Sequence, residues 1–300
     1  MSLRTLLESI VALAVFASAY TLIRVALGEL PPLTLGALRF ILSSSILVPI
    51  VLFRYRGTAS RIKKGDLPIL LGLSVAQIFM PNFLQNIGLE YTTASVSSVL
   101  QSTTPVFTLL LSFILLKERI GWKELTGVLV GMTGVTLLST GGNLTSFGES
   151  VFLGNLLQIG VAASYAISGI AGKVLLRKYQ PMLVVMVTFV LGGGLLTSFA
   201  VVFERNLWPA ALSTEVVVAL LLLSFMYSAG LVCWYDVLQH TDVFRLYVLL
   251  FTMPILAVAL SVVVLGEQFT SLDILFSALT LVGVVITQVG NRGGVTLSLS

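Results

Sequence analysis

The chain has 300 residues, of which 57% are hydrophobic and 10% charged. A soluble globular domain carries about 25% charged residues, so a soluble fold is excluded. The net charge of +4 is dispersed in short gaps between apolar runs, which excludes a nucleic-acid-binding face; one cysteine, Cys233, and one histidine, His240, exclude an internal disulfide and a His/Cys zinc site.

The apolar runs are continuous and about 20 residues long, the length of a membrane-crossing helix. Barrel strands would alternate polar and apolar residues instead. Ten such spans fall near residues 6–27, 33–53, 67–89, 94–116, 122–140, 151–172, 182–203, 215–238, 243–265 and 272–290. Residues 291–300 are polar and read as a loose tail.

Span 1 contains Ala17-Ser18-Ala19, the small residues of a signal cleavage site. Its leading stretch is weakly basic and nine spans follow, so it reads as a retained helix. Phe16 and Tyr20 lie one turn apart in it. Span 2 buries Arg39 about 9 Å deep, at 1.5 Å per residue. Ionisable groups within spans are functional candidates. A structural pair with Glu90 and capture of a solute carboxylate are the two readings of Arg39.

Span 3 presents Phe79, Asn82, Gln85 and Asn86 on one face. Span 4 has a polar stripe: Ala94, Ser97, Ser98, Gln101, Thr104, Pro105, Thr108 and Ser112, at helical spacing. Small residues there suit close packing, whereas Gln101 suits a cavity wall, because an amide in hydrocarbon needs partners. Pro105 removes a backbone hydrogen bond and reads as a hinge or a fixed bend. Span 5 carries Gly127, Gly131 and Gly134 on a face for close packing or dimerisation, so monomer and dimer both stay open.

Span 6 contributes Gln158, Tyr165 and Ser168. Span 8 contributes Ser224, Tyr227, Ser228, Trp234 and Tyr235, although the last two also suit an interfacial aromatic belt. Tyr247 shares a face of span 9 with Pro254, the second hinge candidate. Glu8 and Asp236 near cytoplasmic ends read as snorkelling carboxylates or proton carriers. Glu118 and Glu267, at helix ends, are expected to cap the following span.

With ten spans, one membrane side holds Arg4, Arg54, Arg56, Arg61, Lys63, Lys64, Lys117, Arg119, Lys123, Lys173, Arg177, Lys178, Arg245 and Arg292. The other side holds Arg24 and Arg205. Basic loops stay cytoplasmic, which predicts both termini inside.

The sequence also matches itself at an offset of 149. Pro32 meets Pro181, Thr92 meets Thr241, Thr103 and Pro105 meet Thr252 and Pro254, Glu118 meets Glu267, and Gly134 meets Gly283. Five spans per copy force the second to enter inverted. This predicts an all-α membrane protein of ten transmembrane helices in two inverted five-helix repeats, 1–145 and 150–290. Inverted repeats are the architecture of secondary transporters, with the site near mid-membrane.

Leu35-Gly36-Ala37-Leu38-Arg39-Phe40, Thr103-Thr104-Pro105-Val106-Phe107 and Leu115-Leu116-Lys117-Glu118 in the first half, with Phe251-Thr252-Met253-Pro254-Ile255 and Val264-Leu265-Gly266-Glu267 in the second, resemble the EamA branch of the drug/metabolite transporter superfamily. The resemblance implies ten helices, export of amino acids or other small metabolites, and a cavity lined by spans 1, 3, 4, 6, 8 and 9. The polar and aromatic faces of those spans give Phe16, Tyr20, Phe79, Asn82, Gln85, Ser98, Gln101, Tyr165, Ser168, Tyr227, Ser228, Trp234 and Tyr247 as solute-binding candidates.

The expected function is therefore alternating-access export of a neutral or zwitterionic metabolite, such as an amino acid with an apolar side chain, across a prokaryotic inner membrane. The expected partners are the solute and the lipid bilayer. Residues 169–173 lack the spacing of an ATP-binding loop, and no cofactor, metal or catalytic constellation is expected. Two alternatives stand: a carrier of quaternary ammonium cations held by Phe16, Tyr20, Tyr165, Tyr227 and Trp234, and a non-transporting receptor or lipid-handling protein.

Overall fold

The computed structural model describes residues 3–54, 62–91, 100–101, 103–118, 121–140, 142, 152–209, 211–253, 255–256 and 271–289, with the backbone alone at 3, 20, 21, 24, 86, 89, 90, 139 and 273. The tail 291–300 lies outside them. Among the described residues all regular structure is helical. The helices are α1 (Leu3–Leu27), α2 (Pro32–Arg54), α3 (Leu67–Ser74), α4 (Met80–Tyr91), α5 (Thr104–Leu111), α6 (Trp122–Thr140), α7 (Phe152–Leu176), α8 (Pro181–Phe203), α9 (Thr214–His240), α10 (Val243–Val248) and α11 (Ser271–Val289). Five stretches are long and apolar enough to cross a membrane: Pro32–Arg54, Lys64–Gln85, Phe152–Leu176, Pro181–Phe203 and Thr214–His240. Thr104–Leu116, Val243–Thr252 and Ile274–Val289 are shorter apolar helices.

The helix boundaries follow local chemistry. Pro32 and Pro181 open α2 and α8, where a missing N–H costs no intrahelical bond. A π-helical turn, Val75–Phe79, joins α3 to α4, and another, Ser112–Leu116, follows α5. The second ends at Lys117, whose φ of 55° is left-handed.

The chain divides into two compact units. The first comprises Met1–Ile87 and Ile167–His240. Within it α2 packs on α8, α1 on α9, α3 on α8 and α2 on α9. Phe40 and Phe189 meet at 5.2 Å between ring centroids, in the middle of the α2–α8 contact. Glu204, just after α8, turns back to α2: its two carboxylate oxygens accept from Leu33 N (2.9 Å) and Thr34 N (2.6 Å). A buried anion there satisfies amides that the helix leaves open and suits its positive end.

The second unit comprises Gly88–Ala166 and Thr241–Ser300. Its main contact is α6 against α11. A Cβ on Gly134 would stand 2.6 Å from Thr280 N, and one on Gly283 would press on the Gly131 backbone. The small-residue face of span 5 is thus occupied by α11 of the same chain. The capping expected of Glu118 falls on a different helix. Glu118 accepts from Val243 N at 3.1 Å and so caps α10, while Glu124 serves the turn before α6 through Gly121 N. The sequence distance misled here, because packing brings Glu118 to the start of α10, 125 residues away in the chain. Glu267 lies outside the described residues.

Candidate functional site

In the first unit the polar and aromatic candidates converge on α9. Phe16 of α1 lies 5.6 Å from Tyr227 and 5.8 Å from Trp234, centroid to centroid. Tyr227 also meets Phe40 at 5.9 Å and Phe189 at 6.0 Å. The Arg39 guanidinium lies over the Tyr227 ring, 3.9 Å from its centroid, and 5.1 Å from that of Phe40. Arg39 is 6% exposed, so this cation–π contact is made out of water, where it is strongest. The side chain of Glu90, its expected partner, lies outside the described residues, as do the side chains of Tyr20 and Asn86. Trp234 and Tyr235 are buried, which places them in the protein interior rather than in a lipid-facing belt.

Gln77 is a buried amide of the first unit. Its Oε1 accepts a short hydrogen bond from Ser168 Oγ, linking the π turn to α7. Of the expected face of span 3, Phe79, Asn82 and Gln85 are each half-buried. Asn82 donates to Ile78 O at 2.6 Å, within its own helix. Phe79 joins Phe83 and Phe199 in an aromatic stack, with centroids 4.7–5.8 Å apart. Ser228 is buried and donates to Ser224 O at 2.6 Å. The regular 3.6-residue count missed Gln77 because a π turn inserts a residue and rotates the helix upstream of it.

In the second unit Gln101 donates from Nε2 to Gln158 Oε1 at 2.9 Å, joining span 4 to α7. Gln158 is wholly buried, and Gly88 makes room for it: a Cβ there would stand 2.6 Å from Gln158 Nε2. Tyr165 is half-buried and Tyr247 buried on α10. Pro105 lies in the first turn of α5. The carbonyl its ring cannot engage, Gln101 O, accepts from Thr104 Oγ1 at 2.7 Å. The residues just before each proline share a feature. Thr103 Oγ1 donates to Leu100 O (2.6 Å), and Thr252 Oγ1 donates to Leu249 O (2.7 Å) in the 3₁₀ turn Leu249–Thr252. Pro254 and Ser98 lie outside the described residues.

Charged groups sit at helix ends. Arg4 bridges Glu8 (2.8 Å) and Asp236 (3.0 Å) between α1 and α9. Lys178 reaches Asp66 at 2.7 Å, and that carboxylate holds the ammonium pKa above its usual value. Hydrogen bonds from Ser213 hold Glu29 below the usual glutamate range. Burial raises Glu118, against the lowering effect of the Val243 N–H. Among the described residues, no three His, Cys, Asp or Glu side chains cluster to hold a metal.

The sequence profile of the EamA-like transporter family matches residues 4–140 and again 152–289. An "Uncharacterized transporter" of Archaeoglobus fulgidus is 26% identical over 89% of this chain and 92% of its own length. The "Probable amino-acid metabolite efflux pump" of Escherichia coli is 24% identical over 95% of this chain and 94% of its own. A protein crystal structure matches with a TM-score of 0.80 at 20% identity, over 94% of this chain and 96% of that one; this shows a shared fold. The relatives are transporters rather than enzymes. With both halves matched and apolar helices throughout, the chain is a multi-pass integral membrane protein and belongs to the EamA-like transporter family.

Proposed function

We propose that the chain is a secondary transporter that exports small neutral or zwitterionic metabolites, amino acids among them, by alternating access. The observation carrying this reading is that two polar pairs joining the candidate spans are neutral: Gln77 with Ser168, both buried, and half-buried Gln101 with Gln158. Amides and hydroxyls can exchange hydrogen bonds with a solute's ammonium and carboxylate without a fixed charge to repel either. The Escherichia coli relative's printed name points the same way. A permanent cation fits less well, because the Arg39 guanidinium already covers a face of Tyr227 and Phe16 packs against Trp234.

The transport reading rests on ten spans in two inverted repeats, 1–145 and 150–290, with both termini cytoplasmic in a prokaryotic inner membrane. Three pairings at the 149-residue offset support it. Phe40 packs on its own counterpart, Phe189. The Gly134–Thr280 approach is repeated by Gly283–Gly131, with the halves exchanged. Glu29 and Lys178 each fasten their connection to the start of a helix, Glu29 through Ser213 N (2.9 Å) and Lys178 through Asp66 (2.7 Å). Cytoplasmic basic residues and acidic ones at the same place in the other half fit an inverted copy.

The test is counterflow in proteoliposomes across a panel of amino acids and organic cations. Saturable counterflow of a neutral or zwitterionic solute, impaired in Gln101→Ala with insertion intact, is expected. Counterflow only of quaternary amines, or none with any solute, would overturn the substrate class or the carrier reading respectively.

A further inference from the structure

Apart from the polar set, the flank shared by α1 and α9 carries a trough of about 400 Å³. Leu22 and Val25 form one wall, Val218 and Leu222 the other. The walls face outward: Val25, Val218 and Leu222 are 43%, 47% and 44% exposed. The floor is Ala219, 3% exposed, whose methyl leaves space where its neighbours carry branched side chains. In a membrane-spanning chain such a flank is covered by acyl chains.

The lining of the trough is almost wholly apolar. It closes on Thr214 and Glu215, in the first turn of α9. The Glu29 carboxylate accepts from Ser213 N at 2.9 Å, so a second carboxylate belongs to the same rim. Among the described side chains neither Glu29 nor Glu215 forms an ion pair. Two acids where an apolar wall ends favour a cation that also donates hydrogen bonds.

We propose that this trough seats an acyl chain of a phospholipid whose primary ammonium headgroup binds Glu215. An ethanolamine headgroup supplies N–H donors for a charge-assisted bond to a carboxylate. Choline has none, and an anionic glycerol headgroup meets repulsion from both acids. Glu215 in a first turn also complements the helix dipole, but that role creates no lipid preference.

The test is lipid retention, which does not depend on the transport reading. The full chain, purified in detergent, is equilibrated with equal amounts of phosphatidylethanolamine, phosphatidylcholine and phosphatidylglycerol, and bound lipid is counted by native mass spectrometry. Ethanolamine lipid should be retained about tenfold over the others, as expected for one charge-assisted bond. Glu215→Gln should abolish the preference, and Ala219→Leu, which fills the trough, should lower the lipid bound. Equal retention of all three lipids, or an undiminished preference in Glu215→Gln, would overturn the proposal. If Ala219→Leu does not fold, the Glu215→Gln comparison decides alone, since it leaves the packing intact.

Discussion

The guanidinium of Arg39 rests on the face of Tyr227, 3.9 Å from the ring centroid, and joins α2 to α9. Replacing the ring by an aliphatic side chain removes the cation's platform and leaves a buried guanidinium less compensated. Tyr227→Leu should lower stability by about 2 kcal/mol or more, while Tyr227→Phe keeps the π face and should stay near wild type. Thermal unfolding in detergent reads both; equal losses in the two variants would assign the effect to the hydroxyl instead.

At the α6–α11 contact there is no room for a side chain. Gly134→Leu should cost about 3 kcal/mol by overpacking against the Thr280 backbone. Gly194→Leu provides the control, because nothing lies within 4 Å of a Cβ there. The melting temperature should fall sharply for the first and barely for the second.

The carboxylate of Glu204 serves two amides and the Thr34 hydroxyl, which it accepts from at 2.7 Å. Glu204→Ala leaves those buried N–H groups without their acceptor and should cost about 2–3 kcal/mol. Glu215→Ala, on an exposed acid, should change stability by less than about 1 kcal/mol. Comparable losses would show that the Glu204 cap contributes little.

Glu118 gives a pH dependence with a definite sign. Burial raises its carboxyl above the ordinary value of 4.5, so the folded state holds the proton to higher pH than the unfolded chain. Its stabilising contribution is present below that value and is lost as pH rises through the folded pKa. Stability against pH, measured by thermal unfolding, should fall less steeply across this window in Glu118→Gln. An identical pH slope in both proteins would remove Glu118 as the cause.

Accessibility labelling tests the inverted arrangement. Cysteines placed at Arg56 and Asn206, the latter exposed in the connection after α8, should react from opposite sides of the membrane in a Cys233→Ser background. Labelling of both from one side would break the ten-span reading and the transport mechanism built on it.

Much was legible in one dimension. Continuous apolar runs of bilayer length declare membrane helices, since the backbone must satisfy its own hydrogen bonds in lipid. Gly131 and Gly134 announced a close approach. Gln101 was identified because an amide in an apolar run is costly unless it is paired. Its actual partner, Gln158, was not legible from spacing, because hydrogen bonds between distant helices depend on packing.

What the linear order determined, then, is membrane residence, an all-helical fold and family, because these rest on hydrophobicity and local backbone chemistry. What only the tertiary structure decided is who meets whom: Arg39 with Tyr227, Gln77 with Ser168, Glu118 with α10 rather than α6. A side chain's neighbours are set by helix rotation and contact, and a single π turn is enough to change the face it presents.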